Sequence, residues 1–324
     1  MRIPFSIPPS TSKTFDVVTL GLNSVDLVSV VGEYPHAGTK QRLQRFARLP
    51  GGQMATASAT CARLGLRARY IGSFGDDVLG QLSRQSLLDE GVDLTAARTI
   101  AGAANQFAVI IVDARSGERT VLWDRDPLLA LDPAHLPADA ITSGRLLIVD
   151  CNQTAASAQA ARYARVAGIP TVADIERVRP GIADLLQNID AIIMAETFPA
   201  ALTGYEDHGR ALAHIAREFG APIVCVTLGA DGSLAWSQGR EIRTPGFPID
   251  CVDSTGAGDA FRGAFATACL RYPHDDVEQA LLYANAVAAL NCRALGGRGG
   301  LPTTDEVDQL LNGPASQRRR TPLY

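Results

Sequence analysis

The sequence predicts an α/β protein built on a mainly parallel sheet with helices on both faces, and three observations carry that reading. From about residue 145 onward, short apolar runs alternate with helix-forming segments. Helices between consecutive strands imply crossover connections, which parallel strands need. Two glycine-rich stretches, around Gly51-Gly52 and Gly256-Ala257-Gly258, sit where a loop passes into a helix. Nothing repeats at a solenoid period.

Taken in order, Phe15 to Leu22 alternates and is rich in β-branched residues, which predicts a first strand ending near Asp26. Val28 to Leu49 is poor in helix signals and carries Pro35 and Gly38, so it reads as strands leaving the main sheet. The small residues after Gly52 predict a closely packed helix through Cys61 that stops at Gly65. Asp77 to Glu90 has amphipathic spacing, with Val78, Leu82, Leu87 and Leu88 inward and Gly91 as the stop. Gln106 to Val112 and Arg119 to Trp123 read as a hairpin around Ser116-Gly117. The alternating region follows: strands at Leu146 to Asp150, Thr171 to Ile175 and Ala191 to Met194, with helices at Ala155 to Val166 and near Ala183 to Gln187. Strands at Pro222 to Thr227 and Ser233 to Trp236 bracket a glycine turn, Leu228 to Gly232. An apolar run, Phe247 to Val252, leads into a helix over Ala260 to Leu270.

With 324 residues, 46% hydrophobic and 20% charged, the chain has enough apolar sequence for a large buried core. A net charge of −4 and a pI near 5.8 give no reason to expect nucleic acid. The basic run Arg318 to Arg320 falls in a polar tail, 313–324, that reads as flexible, as does the stretch 1–14. Cys61, Cys151, Cys225, Cys251, Cys269 and Cys292 show no C-x-x-C pairing, which points to reduced, buried thiols in a cytoplasmic protein. No apolar run reaches membrane-spanning length, and the first residues do not form a signal peptide.

The strongest chemical signal is Asp253-Ser254-Thr255-Gly256-Ala257-Gly258-Asp259-Ala260-Phe261. The first amides of a helix lack intrahelical partners, and the macrodipole adds partial positive charge there, so this junction suits an anion. A carboxylate at the first helical position, Asp259, would repel that anion, and its presence makes sense as a general base. The string resembles the C-terminal signature of the ribokinase/PfkB carbohydrate kinases, D-T-x-G-A-G-D, with Ser254 in place of the commoner threonine. Pro50-Gly51-Gly52-Gln53 through Gly65, continuing over Gly72 to Asp77, resembles the family's first signature. The resemblance spans about residues 15 to 312 and implies a ribokinase-like kinase domain. Strands from about 28–48 and 105–124 would form a small sheet that closes over the sugar and offers a route to a homodimer.

Carried onto this sequence, the family's pattern implies that Asp259 is the base and that Gly256, Ala257 and Gly258 form the anion hole. Asp26, Gly51, Gly52, Gln53 and Thr56 would bind the acceptor. Many relatives have asparagine where Thr56 stands, and a different residue at Gln53. Thr227, Gly229 and Gly232 in the strand turn, with Asn285 on a helix, resemble the family's nucleotide contacts. At Ala195-Glu196-Thr197-Phe198 the family commonly has N-x-x-E, which arranges magnesium waters; here Glu196 is the remaining acid. Asp253, Thr255, Asn291, Ala294, Gly296 and Gly300 match a loop that holds a monovalent cation, K⁺. The implied small molecules are therefore ATP, Mg²⁺ and K⁺, with a sugar as acceptor. The Cys-x-x-x-Gly-Gly-Arg-x-Gly-x-Pro form at Cys292 to Pro302 also resembles a subgroup acting on fructose-like sugars modified at the far end. Lys40 and Arg42, expected on the strands of the small sheet, could reach a polar or anionic far end of the sugar, although solvated side chains are the commoner case. A nicotinamide enzyme would need G-x-G-x-x-G after the first strand, and a P-loop kinase G-x-x-x-x-G-K-[ST]; neither is present. A nucleoside kinase and a non-catalytic binding protein of the same fold remain as alternatives.

Overall fold

The computed structural model describes residues 2–115, 119–272 and 276–313. Along the chain the first elements are β1 (Phe15–Leu20), β2 (Ser24–Val31), β3 (Arg45–Gly51), α1 (Gln53–Arg63), β4 (Ala68–Ile71), β5 (Ser73–Gly75), α2 (Val78–Asp89), β6 (Arg98–Ile100), β7 (Phe107–Asp113) and β8 (Arg119–Asp124). There follow α3 (Ala138–Ile141), β9 (Gly144–Asp150), α4 (Thr154–Val166), β10 (Thr171–Ile175), α5 (Ile182–Leu186), β11 (Ala191–Met194), α6 (Phe198–Thr203), α7 (His208–Phe219) and β12 (Ile223–Thr227). The last elements are β13 (Ser233–Ser237), β14 (Arg240–Thr244), α8 (Ala257–Arg271), α9 (Val277–Asn291) and α10 (Thr304–Asn312).

The main sheet has eight strands in the order β14-β13-β12-β11-β10-β9-β1-β4. Six are parallel, and β13 and β14 extend the sheet antiparallel beyond β12. Its strands are apolar on both faces, as burial between two helix layers requires. On β9, Leu146 and Ile148 join a cluster with Phe261 and Phe265 of α8, while Leu147 and Val149 join one with Ala160 of α4 and Leu212 of α7. That alternation follows from the two-residue repeat of a strand.

A separate four-stranded sheet, β3-β2-β7-β8, carries the strands expected to leave the main sheet, and β7 and β8 pair as the expected antiparallel hairpin; Lys40 and Arg42, expected on its strands, fall in the connection between β2 and β3. Its Ser116-Gly117 turn lies outside the described residues, as do residues 314–324 with the basic run. β1 ends at Leu20, and after three residues the chain enters this second sheet, so Asp26 sits inside β2 and not beyond the first strand. Residues 2–14 contact the body: Ile3 is buried, and Arg145 Nε donates to the Pro8 carbonyl at 2.8 Å.

Two expectations are corrected. The inward face of α2 is Gly80, Ser83 and Leu87; Leu82 is half-buried, while Val78 and Leu88 are exposed. Five of the six free cysteines are buried, but Cys251 is exposed in the irregular segment before α8. Among the described residues no helix is long and apolar enough to cross a membrane.

Candidate active site

The loops after β1, β9 and β10, the N-termini of α1 and α8, and the underside of the small sheet enclose a cavity of about 520 Å³. Crevices at the carboxyl ends of parallel strands are the usual ligand sites of such sheets. Ala108 and Ile110 of β7 and Trp123 of β8 form its apolar roof. A larger groove of about 690 Å³ lies at α7 and β13, but none of the candidate catalytic residues lines it.

Asp259 and Gly258 line the floor of the cavity. Asp259 is the third residue of α8, not the first, because the helix begins at Ala257 with Gly256 as its cap. Gly256 adopts φ +72°, and a Cβ there would lie 2.3 Å from the Gly297 carbonyl, so no other residue fits this cap. Among the described residues the Gly256 and Gly258 amides donate to no protein acceptor, and the Ala257 amide makes only a long bond, 3.3 Å, to the Ser254 carbonyl. Gly256 and Gly258, with unbonded amides at the N-terminus of a fifteen-residue helix, thus line the cavity. Burial, followed by the nearby charge of Glu176, pushes the Asp259 carboxyl up to about 7, against the opposing pull of Arg262. A carboxylate so tuned can take a proton near neutral pH.

Asp26 faces the same cavity from β2. Its carboxylate packs against the Gly51 backbone, where a Cβ would meet Oδ2 at 2.6 Å, and it accepts no hydrogen bond from a described residue. Burial raises it to about 6. An unsatisfied carboxylate open to a cavity is a ready acceptor for ligand hydroxyls. Gly52 and Gln53 also line the cavity, whereas Thr56 is fully buried behind them and does not.

The chain matches the pfkB family carbohydrate kinase description over residues 14–304. It belongs to that family. It is 31% identical to the ATP-dependent ribose-1-phosphate kinase of Halopiger xanaduensis, over 91% of this chain and 98% of that one. It is 26% identical to the nucleoside kinase of Methanothermobacter thermautotrophicus, over 91% of this chain and 95% of that one. The solved structure of Arabidopsis thaliana ribokinase with ribose and ATP superposes with a TM-score of 0.81 at 25% identity, covering 92% of this chain and 99% of that one. The family and the shared fold make this PfkB protein an ATP-dependent phosphotransferase acting on a sugar or nucleoside.

The remaining expected residues of this PfkB kinase fall in two places. Asp253 Oδ1 accepts from the Thr255 amide at 2.9 Å and its Oδ2 from the Gly296 amide at 2.8 Å, which joins the signature loop to the glycine loop. Asn291 donates through Nδ2 to the Gly297 carbonyl at 2.9 Å, while its Oδ1 is buried without a donor. A Cβ on Gly300 would meet the Asn291 carbonyl at 2.3 Å, so Gly300 also belongs to this cluster; Ala294 is half-buried on the same loop. An orphaned oxygen among carbonyls fits a monovalent cation. Among the described residues no group of three His, Cys, Asp or Glu could cage a metal, so Mg²⁺ has no preformed acidic site of that kind.

Thr227, Gly229, Gly232, Asn285 and Glu196 line none of the 520 Å³ cavity. They sit at the β12–β13 turn, on α9 and before α6. Asn285 is buried, not solvated, and its amide donates to Ser233 Oγ, Thr244 Oγ1 and the Pro245 carbonyl. Glu196 is exposed, and Phe198, at the acid position of the family motif, is buried.

Sequence reasoning assigned no role to two arginines, Arg298 of the Cys292 to Pro302 motif and Arg262. Arg298, inside the glycine loop, is buried and donates to Thr56 Oγ1 at 3.2 Å, Ser86 Oγ at 3.0 Å and the Gly51 carbonyl at 2.9 Å. It ties the Gly51 turn to Thr56 and Ser86, and Thr56 Oγ1 accepts from this arginine behind the cavity. Arg262, one turn after Asp259, lines the cavity; its Nη2 lies 3.0 Å from Asp174 Oδ1, and its Nη1 lies against Gly258. Only the position of Arg262 on the base's helix face could have signalled it.

Proposed function

We propose that this PfkB kinase transfers the γ-phosphoryl group of ATP to a primary hydroxyl of a small carbohydrate, a fructose-like ketose. The observation that carries the reading is that Asp26, Asp259 and the unbonded Gly256 and Gly258 amides face one cavity. Asp26 holds acceptor hydroxyls and sets the sugar's orientation. Asp259 accepts the proton of the attacking hydroxyl as its oxygen bonds to phosphorus and the bond to the β-phosphate oxygen breaks. The amides and the helix end stabilise charge on the transferring group, with Mg²⁺ arriving as part of the MgATP substrate. Arg262, its Nη1 beside Gly258, adds a positive charge at the same place. Roof residues Ala108, Ile110 and Trp123 limit water access to the acceptor. K⁺, held by Asn291 and the neighbouring loop carbonyls, would supply fixed positive charge that orders the Gly256 cap.

The test is a coupled ADP-release assay over sugars, nucleosides and their phosphates. A fructose-like ketose should outperform ribose and adenosine, and exchanging K⁺ for a large organic cation at constant ionic strength should lower the rate. Unchanged turnover would remove the cation from the account. A nucleoside acceptor is the second reading, favoured by the similarity to a nucleoside kinase and by Trp123, whose ring can stack a base. Preference for adenosine selects it, and no turnover with any acceptor selects a binding protein.

A further inference from the structure

The cavity has a second polar wall that the phosphoryl-transfer chemistry leaves unused. Five arginines and three carboxylates line the cavity as a whole. Arg262 is paired with Asp174, and Arg119 reaches Asp253 at 3.8 Å and Ser254 Oγ at 3.2 Å. The other three, Arg125, Arg177 and Arg179, have no carboxylate oxygen within 4.0 Å among the described residues.

A hydrogen-bonded chain orders this wall. Arg179 Nη2 donates to Asn152 Oδ1 at 2.9 Å, and Asn152 Nδ2 donates to Gln53 Oε1. Because its oxygen is occupied, Gln53 must turn its amide nitrogen elsewhere, and Nε2 is buried without any acceptor. Gln53 is 6% exposed and lines the cavity. Arg179 Nε is likewise buried and unpartnered. Arg125, anchored through Nη2 to the Leu129 carbonyl at 3.1 Å, is depressed from its ordinary pKa by burial, and the charge of Arg179 adds to that. The leading opposing charge on Arg125, that of Asp150, is already occupied by the amides of Leu22 at 2.6 Å and Asn152 at 2.8 Å. Donors left unpaired in a buried wall are costly, and like charges gathered there make it worse. Each defect disappears if an anion enters.

The wall is built on other elements than the phosphoryl-transfer end: Gln53 opens α1, Arg125 follows β8 and Arg179 lies between β10 and α5, whereas Gly256 and Asp259 stand at the start of α8. In the sheet, the β12–β13 turn expected to meet the nucleotide is separated from β9 by β11 and β10. We infer that Gln53, Arg125 and Arg179 form an anion subsite, so that the acceptor is a sugar bearing a phosphate, sulfonate or carboxylate at the end remote from the hydroxyl that is phosphorylated. This inference rests on the kinase reading above and narrows its substrate class.

The experiment compares neutral pentoses and hexoses with ribose 1-phosphate, fructose 1-phosphate, fructose 6-phosphate and sugars carrying a terminal carboxylate or sulfonate. Both ADP release and ligand-induced shift of Tm without ATP are read. The expected best acceptor is anionic, and the phosphate, sulfonate and carboxylate arms identify the group. Arg179→Gln and, separately, Gln53→Leu should reduce the anionic-to-neutral ratio of kcat/KM about 10- to 100-fold, chiefly through the acceptor KM, with the KM for ATP little changed. Arg125→Gln provides an independent variant should either of those misfold. An unchanged ratio, or a loss confined to the KM for ATP, overturns the subsite. If nothing turns over but the anionic sugar's Tm shift is lost in Arg179→Gln, the subsite stands and the kinase reading falls. If neutral sugars turn over without anionic preference, the reverse holds.

Discussion

Asp259 has two consequences that share one cause. Burial and neighbouring acids raise it to about 7, and burial likewise raises Asp26 and Asp150 to about 6, well above the ordinary carboxylate range. The base works ionised, so kcat/KM should rise about tenfold per pH unit below 7 and level off above it. The folded protein also retains protons that the unfolded chain has already released above about pH 4. Its ligand-free stability should therefore be greatest on the acid side of this window and decline as pH rises through 6 to 7. A pH-rate profile and a series of Tm measurements between pH 5 and 8 check both, and a flat rate profile across that range removes Asp259 as the titrating base. At this scale Asp259, Asp26 and the glycines were legible because local motifs carry them. Arg298 was visible in the Cys292 to Pro302 motif, but its role was not, because its partner Thr56 lies 242 residues away in sequence. Nor was the anion wall, whose members come from four separate segments.

Helix α2 shows what hydrophobic spacing misses at the scale of an element. Period alone pointed to Val78, Leu82, Leu87 and Leu88, yet the face that packs is Gly80, Ser83 and Leu87. Close approach of backbones decided the rotation: a Cβ on Gly80 would lie 2.0 Å from the Gly75 carbonyl. Ser83 then reaches Asn23 Oδ1 at 3.1 Å, tying α2 to the crossing between the two sheets. Gly80→Ala should accordingly cost about 1–3 kcal/mol through forced backbone movement, despite alanine's better helix propensity. Denaturant unfolding measures it, and a neutral or stabilising result would mean that α2 is free to shift. Five of the six parallel strands were read closely, since continuous apolar runs bounded by turn residues mark buried strands well, whereas the four-residue β4, interrupted by Arg69, was not read as a strand.

In the whole molecule, the main sheet supplies the floor and the small sheet the roof of one site, and this division was legible from the change of pattern near residue 145. The order of strands was not, because crossover connections leave no local trace of which strand becomes the neighbour. That order brings the ends of β9 and β10 beside α8 and so creates a cavity lined by Asp259, Asp26 and five arginines. The central claim is that this cavity performs proton abstraction through Asp259 during phosphoryl transfer. It is tested most directly by kcat for Asp259→Asn with MgATP and the best acceptor, alongside the affinity for ATP. The account predicts a fall of roughly 10²- to 10⁴-fold in kcat with ATP binding retained; turnover equal to that of the unaltered protein would contradict it.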